Sequence, residues 1–288
     1  MKDIVVNDGT RLAVLDWPAG MGPGSAEARA AGGTQERHTP LVLVVHGLGE
    51  HAGRYAAVAA RLNAAGYPVR AYDQYGHGQS SGPRGGLARD GQLAEHLGEV
   101  AAASLAEPAF AGRPLVLLGH SLGGLVVASA VMRDLVRPAL LAMSSPALAV
   151  KMATWQRAAV RWLPRLAPDL TLGNGLDPQI LCRDPKVVAD YIADPLVHDR
   201  ISARLGAFVA FEGARVRAAA AAWTVPTLLL FAGDDRAVDP SGSREFAARA
   251  PRAVVRAQCF ESMYHEIFNE PDADRALTPL ETALAAVA

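Results

Sequence analysis

One stretch, LVLLGHSLGG at residues 115–124, constrains the fold of this chain more than any other. Leu115, Val116, Leu117 and Leu118 form an unbroken apolar run with the length and branching of a strand buried on both faces. The run stops at Gly119, and a helical pattern over residues 122–133 follows. Between them lies Gly119-His120-Ser121-Leu122-Gly123, a G-x-S-x-G string. A strand that turns sharply into a helix brings the two backbones too close for a Cβ on either flank, so both flanks are glycine. The residue at the tip is left strained, with its side chain exposed at the carboxyl end of the strand. Here that residue is Ser121. The string alone equally fits a plain strand-to-helix turn with serine present for solubility, so the partners of Ser121 must decide.

The rest of the chain repeats the strand-then-helix alternation. Residues 4–6 and 12–17, joined by Asn7-Asp8-Gly9, read as an opening β-hairpin. Residues 18–40, rich in glycine, alanine and charge, read as an exposed loop without chemistry. Strands are expected at 41–45, 69–72, 139–143, 227–231 and 254–260, and helices at 54–65, 93–105 and from 272. Strands separated by helices pair in parallel with helices on both faces, and such sheets collect their active groups at the strands' carboxyl ends. Nearly every polar cluster here directly follows a strand: His46-Gly47-Leu48-Gly49-Glu50-His51, Asp73-Gln74-Tyr75-Gly76-His77, Ser144-Ser145-Pro146, Gly233-Asp234-Asp235-Arg236 and Tyr264-His265. From 147 to 215 the alternation lapses into prolines and short amphipathic helices, then resumes. The expected organisation is therefore an α/β core of residues 1–146 and 216–288, carrying an inserted lid at 147–215.

Composition excludes several roles. A net charge of −1 over 288 residues gives no electrostatic case for nucleic acid. The two cysteines, Cys182 and Cys259, lack metal-ligand spacing and read as reduced thiols. No apolar run approaches the roughly 18 residues that span a bilayer, and Met1-Lys2-Asp3-Ile4 lacks the layout of a secretory signal. The expected setting is the cytoplasm. Rival motifs fail: Asn269 stands where a zinc-protease helix would carry its second histidine after His265-Glu266, no phosphate-binding G-x-x-x-x-G-K-[ST] occurs, and Gly47 with Gly49 is not completed as G-x-G-x-x-G.

A serine hydroxyl needs a base within hydrogen-bond reach and a third group to fix that base's tautomer. In sheets of this kind the order along the chain is serine, acid, histidine. His265 is the one histidine after the strand at 227–231. Six of the other seven read as a loop residue (His38), a helix-surface residue (His96), a lid residue (His198), and backbone-orienting residues in glycine-rich turns (His46, His77, His120). Asp235 is the favoured acid, with Asp234 and Asp239 as alternatives, because aspartates after strands commonly serve as turn or helix caps. Acyl transfer also needs two backbone N–H donors facing the developing oxyanion, and losing one typically costs roughly 10²–10³ in rate. Leu122, after the nucleophile, and Leu48, in the glycine-rich loop after 41–45, are assigned as those donors. No metal and no organic cofactor is implied.

The strings HGLGEHAGRY (46–55), DQYGHGQSSG (73–82), GHSLGG (119–124), RDPKVVADYIADPLVH (183–198), GDDRAVDP (233–240) and YHEIFNEP (264–271) resemble the α/β-hydrolase superfamily. Within it the chain is similar to the monoacylglycerol lipase and lysophospholipase group, also placed with S33-like serine aminopeptidases. The resemblance implies the triad Ser121, Asp235 and His265, oxyanion donors at Leu48 and Leu122, and contacts from Glu50 and Tyr191 to the substrate's polar head. Tyr75, where the group often has arginine, is a departure in the expected pocket wall.

In the expected lid, Trp155, Ala159, Trp162 and Leu166 share one helical face and Arg157, Arg161 and Arg165 the other, with Pro164 set to end or kink the helix. That apolar side either packs on the core or meets a lipid surface, with the arginines near phosphates. The expectation is a serine hydrolase of a small lipid ester, a monoacylglycerol by resemblance, with transient membrane or micelle contact through the lid. The alternatives are a lysophospholipase or broad carboxylesterase with the same triad, or a hydrolase-like protein that binds a ligand without turnover.

Overall fold

A computed structural model describes residues 2–18 and 39–287. Most of the glycine-rich loop expected at 18–40 lies outside the described residues. An eight-stranded sheet organises the rest, in the order β1-β2-β4-β3-β5-β6-β9-β10. The strands β1 (Lys2–Val5) and β2 (Arg11–Trp17) form the predicted hairpin, and β2 runs antiparallel to β4 (Val69–Tyr72). From β4 onward, through β3 (Leu41–Val45), β5 (Leu115–His120), β6 (Leu140–Ser144), β9 (Thr227–Ala232) and β10 (Val255–Phe260), all neighbours are parallel.

The apolar runs are unbroken because both faces of the sheet are covered. Leu41, Leu43 and Val45 of β3 enter one core with Leu93 and Leu97 of α2 (Gln92–Ala106), Leu125 and Val126 of α3 (Leu122–Met132) and Phe246 of α7 (Ser241–Arg249). Val42 and Val44 enter the other, with Val58 and Leu62 of α1 (Ala56–Ala64) and Leu280 and Leu284 of α8 (Asp274–Ala285). Side chains alternate at a period of two, so burying both sets requires exactly such an apolar sandwich of helix, sheet and helix. After β3 the chain first crosses to β4 on one side and then to β5 on the other. That reversal opens a crevice beyond the carboxyl ends of β3 and β5, where ligands bind in open α/β sheets.

Between β6 and β9 the chain forms α4 (Thr154–Leu166), the pair β7 (Thr171–Gly173) and β8 (Arg200–Ser202), α5 (Pro185–Ala193) and α6 (Ala203–Ala219). The last of these runs through the boundary expected at 215/216, and its Leu205 and Val216 belong to the main core. Pro164 does not end α4, which continues to Leu166.

His96 departs from expectation. It is 1 % exposed, with Nε2 2.9 Å from Asp8 Oδ2, because the β1–β2 turn folds over α2. Among the described residues no helix is long and apolar enough to cross a membrane.

Candidate active site

Ser121 sits at the junction of β5 and α3 with φ +53° and ψ −117°. Such a conformation costs a non-glycine residue about 1–3 kcal/mol and persists only where its surroundings enforce it. Here they do. A Cβ on Gly119 would lie 2.5 Å from the Gly123 carbonyl oxygen, and one on Gly123 would lie 2.0 Å from that of Val45. The Ser121 N–H donates to Ser144 O at 3.0 Å, and Ser121 O accepts from Ala147 N–H at 3.0 Å, fixing the tip against β6. A Cβ on Gly47 would come within 3.2 Å of Ser121 Cβ, so the loop after β3 passes close beside the serine.

Beyond β9, Asp235 Oδ1 accepts from the N–H groups of Ala237 and Val238, both at 2.9 Å. Its Oδ2 accepts from His265 Nδ1–H at 2.7 Å, and both side chains are buried. The neighbouring aspartates are engaged elsewhere: Asp234 pairs with Arg236, and Asp239 accepts from Ser241 N–H. Burial opposes a charge on His265, but the Asp235 carboxylate outweighs it and raises the imidazole above its ordinary pKa of 6.5. With Nδ1 carrying its proton toward Asp235, Nε2 is the free basic nitrogen. Among the described residues no hydrogen bond joins Ser121 Oγ to His265. What brings them together is a shared cavity of about 510 Å³, which both line. Such contacts often tighten only when substrate arrives.

His120 lies beside them, its ring centroid 4.7 Å from that of His265 and its Nδ1 3.1 Å from Ser144 Oγ. Burial, reinforced by the neighbouring His265, pushes it down to about 4, so it is neutral near pH 7 and does not compete for the proton.

Leu48 and Leu122 also line the cavity. Neither backbone N–H has an acceptor among the described residues, as a pair of donors kept for a ligand would require. The cavity's walls are largely apolar and come from the stretch between β6 and β9: Ala159, Val160 and Leu163 of α4, Ile180, Ile201 and Val209.

Glu50 and Tyr191 line the cavity as well, but the Glu50 carboxylate is already engaged. Glu50 accepts from Gly47 N–H, from Tyr55 OH at 2.8 Å and from Arg54 Nη1 at 2.6 Å. Burial would raise its carboxyl, but the Arg54 guanidinium holds it down at about 2. Arg54 also grips Glu266, next to His265, through two bonds of 2.7 and 2.8 Å, and its guanidinium lies 4.7 Å over the Tyr191 ring. The sequence reading missed Arg54 and Glu266 as site residues. Their signal was available only as charge signs inside HGLGEHAGRY and YHEIFNEP, more than 200 residues apart.

Trp155 lines the cavity mouth yet is 71 % exposed, while Trp162 and Leu166 are 59 % and 82 % exposed. The apolar side of α4 therefore does not pack on the core, the first of the two readings weighed above. Arg165 stacks 5.3 Å over the Trp162 ring on that outer surface.

Residues 36–272 match the family described as serine aminopeptidase, S33. The chain is 35 % identical over 236 residues to a monoacylglycerol lipase of Mycolicibacterium smegmatis, covering 81 % of this chain and 83 % of that one. It is 34 % identical over 233 residues to an uncharacterized abhydrolase domain-containing protein of Dictyostelium discoideum, of whose length it spans 24 %. The crystal structure of a Paleococcus ferrophilus monoacylglycerol lipase superimposes with a TM-score of 0.80 at 34 % identity, covering 96 % of this chain and 99 % of that one.

Proposed function

The chain belongs to the serine aminopeptidase S33 family of α/β-hydrolases, and on that premise we propose that it is a serine carboxylic ester hydrolase that cleaves monoacylglycerol to fatty acid and glycerol. Relatives named monoacylglycerol lipase, at 34–35 % identity over most of their length, support the substrate class. The observation that carries the chemistry is the buried His265–Asp235 bond facing the same apolar cavity as the strained Ser121.

In this reading His265 Nε2 takes the proton of Ser121 Oγ as the oxygen attacks the ester carbonyl carbon. Asp235 holds the imidazole and stabilises the imidazolium. The tetrahedral oxyanion is met by the N–H groups of Leu48 and Leu122. Its collapse breaks the bond to glycerol, which leaves with the proton from His265. Water, deprotonated by the same nitrogen, then attacks the acyl-enzyme, and the fatty acid departs as Ser121 recovers its proton.

Residues 147–215 act as the lid on a core of 1–146 and 216–288. The apolar wall that α4 contributes suits an acyl chain, and the exposed Trp162 and Leu166 beside Arg161 and Arg165 suit transient docking on a membrane or micelle.

Ser121→Ala tests the proposal. It is expected to abolish both fatty-acid release from monoacylglycerol and the burst of p-nitrophenol from a p-nitrophenyl ester. A fluorophosphonate should label the wild-type protein and not the variant. Full activity in Ser121→Ala would overturn the mechanism, and a wild-type protein that shows neither labelling nor turnover would favour a ligand-binding role.

A further inference from the structure

The loop that carries Leu48 is held from outside the sheet. Three contacts join it and the turn that follows to one short run of the inserted segment, residues 191–198. The Arg54 guanidinium rests on the Tyr191 ring at 4.7 Å. His51 Nε2–H donates to Asp194 Oδ2 at 2.7 Å. His198 N–H donates to Gly49 O at 2.8 Å. The approach at the last contact is close enough that a Cβ on Gly49, whose φ is +78°, would lie 2.4 Å from the His198 carbonyl oxygen.

The tautomer of His51 follows from its other bond. Its Nδ1 accepts from Gly53 N–H at 3.2 Å, so the proton sits on Nε2 and points at Asp194. Asp194 is fixed in turn, with Oδ1 accepting from Leu196 N–H at 2.8 Å. The same run therefore presents an aromatic face, a carboxylate and a backbone donor to three successive places on the loop side. The strings HGLGEHAGRY and YIADPLVH, which the triad does not explain, meet here residue for residue.

Leu48 stands between two glycines, so the direction of its N–H is set by how its flanks are held. Gly47 N–H is tied to Glu50 on one side. On the other, Gly49 and His51 are tied to the insertion. We propose that Asp194 is a positioning residue for the oxyanion donor Leu48, acting through His51, and that residues 191–198 belong to the catalytic scaffold. The inference rests on the reading of Leu48 N–H as an oxyanion donor given above. Misplacing a reacting group by about 1 Å can cost roughly 10²-fold in rate.

The test uses the full chain and p-nitrophenyl butyrate, a soluble ester too short to probe the apolar cavity. Asp194→Ala is expected to lower kcat roughly ten- to a hundredfold with KM within about twofold of wild type. Affinity for a trifluoromethyl ketone, which mimics the tetrahedral oxyanion, should fall by the same factor as kcat. Asp194→Asn leaves one carbonyl oxygen for two donors, Leu196 N–H and His51 Nε2–H, so it should also lower kcat, by no more than Asp194→Ala does. His51→Ala should reproduce the loss, and the double variant should lose no more than either single one, as residues acting through one bond do. Where Asp194→Ala does not fold, His51→Ala carries the same test from the other end of the bond. An unchanged kcat, a loss confined to KM, or a loss of kcat with inhibitor affinity unchanged would overturn the inference. Wild-type protein with no esterase activity would instead overturn the reading of the site itself.

Discussion

Two stretches between β6 and β9 are built on opposite principles. Helix α4 contains no fully buried residue: it packs on α6 and lines the cavity along one edge, with Val160 and Leu163 half-buried, and leaves Trp155, Trp162 and Leu166 largely in solvent. Residues 181–202 are bolted to the loops at the strand ends. Leu181 O accepts from Glu266 N–H at 2.8 Å, Arg183 pairs with the buried Glu270, Asp194 bonds His51, and Ser202 N–H donates to Gly85 O at 2.8 Å. A helix with no fully buried side chain can leave the cavity at lower cost than a stretch tied to the strand-end loops. The bolted stretch cannot move without pulling on the loops around Leu48 and His265. One half is thus a removable wall, and the other is part of the frame that holds the site.

That contrast is sharpened first at its fixed pole. Asp235→Asn removes the acceptor that fixes the His265 tautomer and should reduce kcat roughly 10⁴-fold with the fold intact. In the wild type, His265 must be neutral to act as base, and its pKa is raised. The acid limb of kcat/KM should therefore have its midpoint above 6.5, as a pH–rate profile would show; a midpoint below 6.5 would mean that burial outweighs the carboxylate.

Arg54 comes next. Arg54→Met leaves Glu50 and Glu266 buried with their main cation gone. Breaking such a cluster by removing one partner typically costs 3–5 kcal/mol, so denaturant titration should show destabilisation of about that size. A change below about 1 kcal/mol would dissolve the distinction between frame and wall.

At the small end, Trp162→Ser should alter stability by no more than about 0.5 kcal/mol and leave turnover of a soluble short ester unchanged. Its binding to vesicles, measured by sedimentation, should weaken a few-fold. Substantial destabilisation would show that α4 packs as firmly as residues 181–202.

The sheet was legible because strands covered on both faces are unbroken apolar runs, and those runs ended within two residues of the ends of Leu41–Val45, Leu115–His120 and Thr227–Ala232. Choosing among Asp234, Asp235 and Asp239 was not possible from spacing. The structure separates them by partners: two backbone N–H groups and an imidazole for Asp235, an exposed arginine for Asp234, a helix start for Asp239. His96 was misplaced because its partner, Asp8, lies 88 residues away on a different element. The apolar face of α4 was visible as a pattern, but periodicity does not say what covers it. The partners of Arg54 and His51 were hidden for the same reason as that of His96. Charge complementarity across the fold leaves no local trace.

The most direct test of the account is to trap the intermediate. Wild-type protein quenched in acid during steady-state turnover of p-nitrophenyl butyrate should carry one added butyryl group, and peptide mass spectrometry should place it on Ser121. Asp235→Asn should show the adduct forming far more slowly, and Ser121→Ala should show none. An acyl group on another residue, or undiminished turnover by Ser121→Ala, would contradict it.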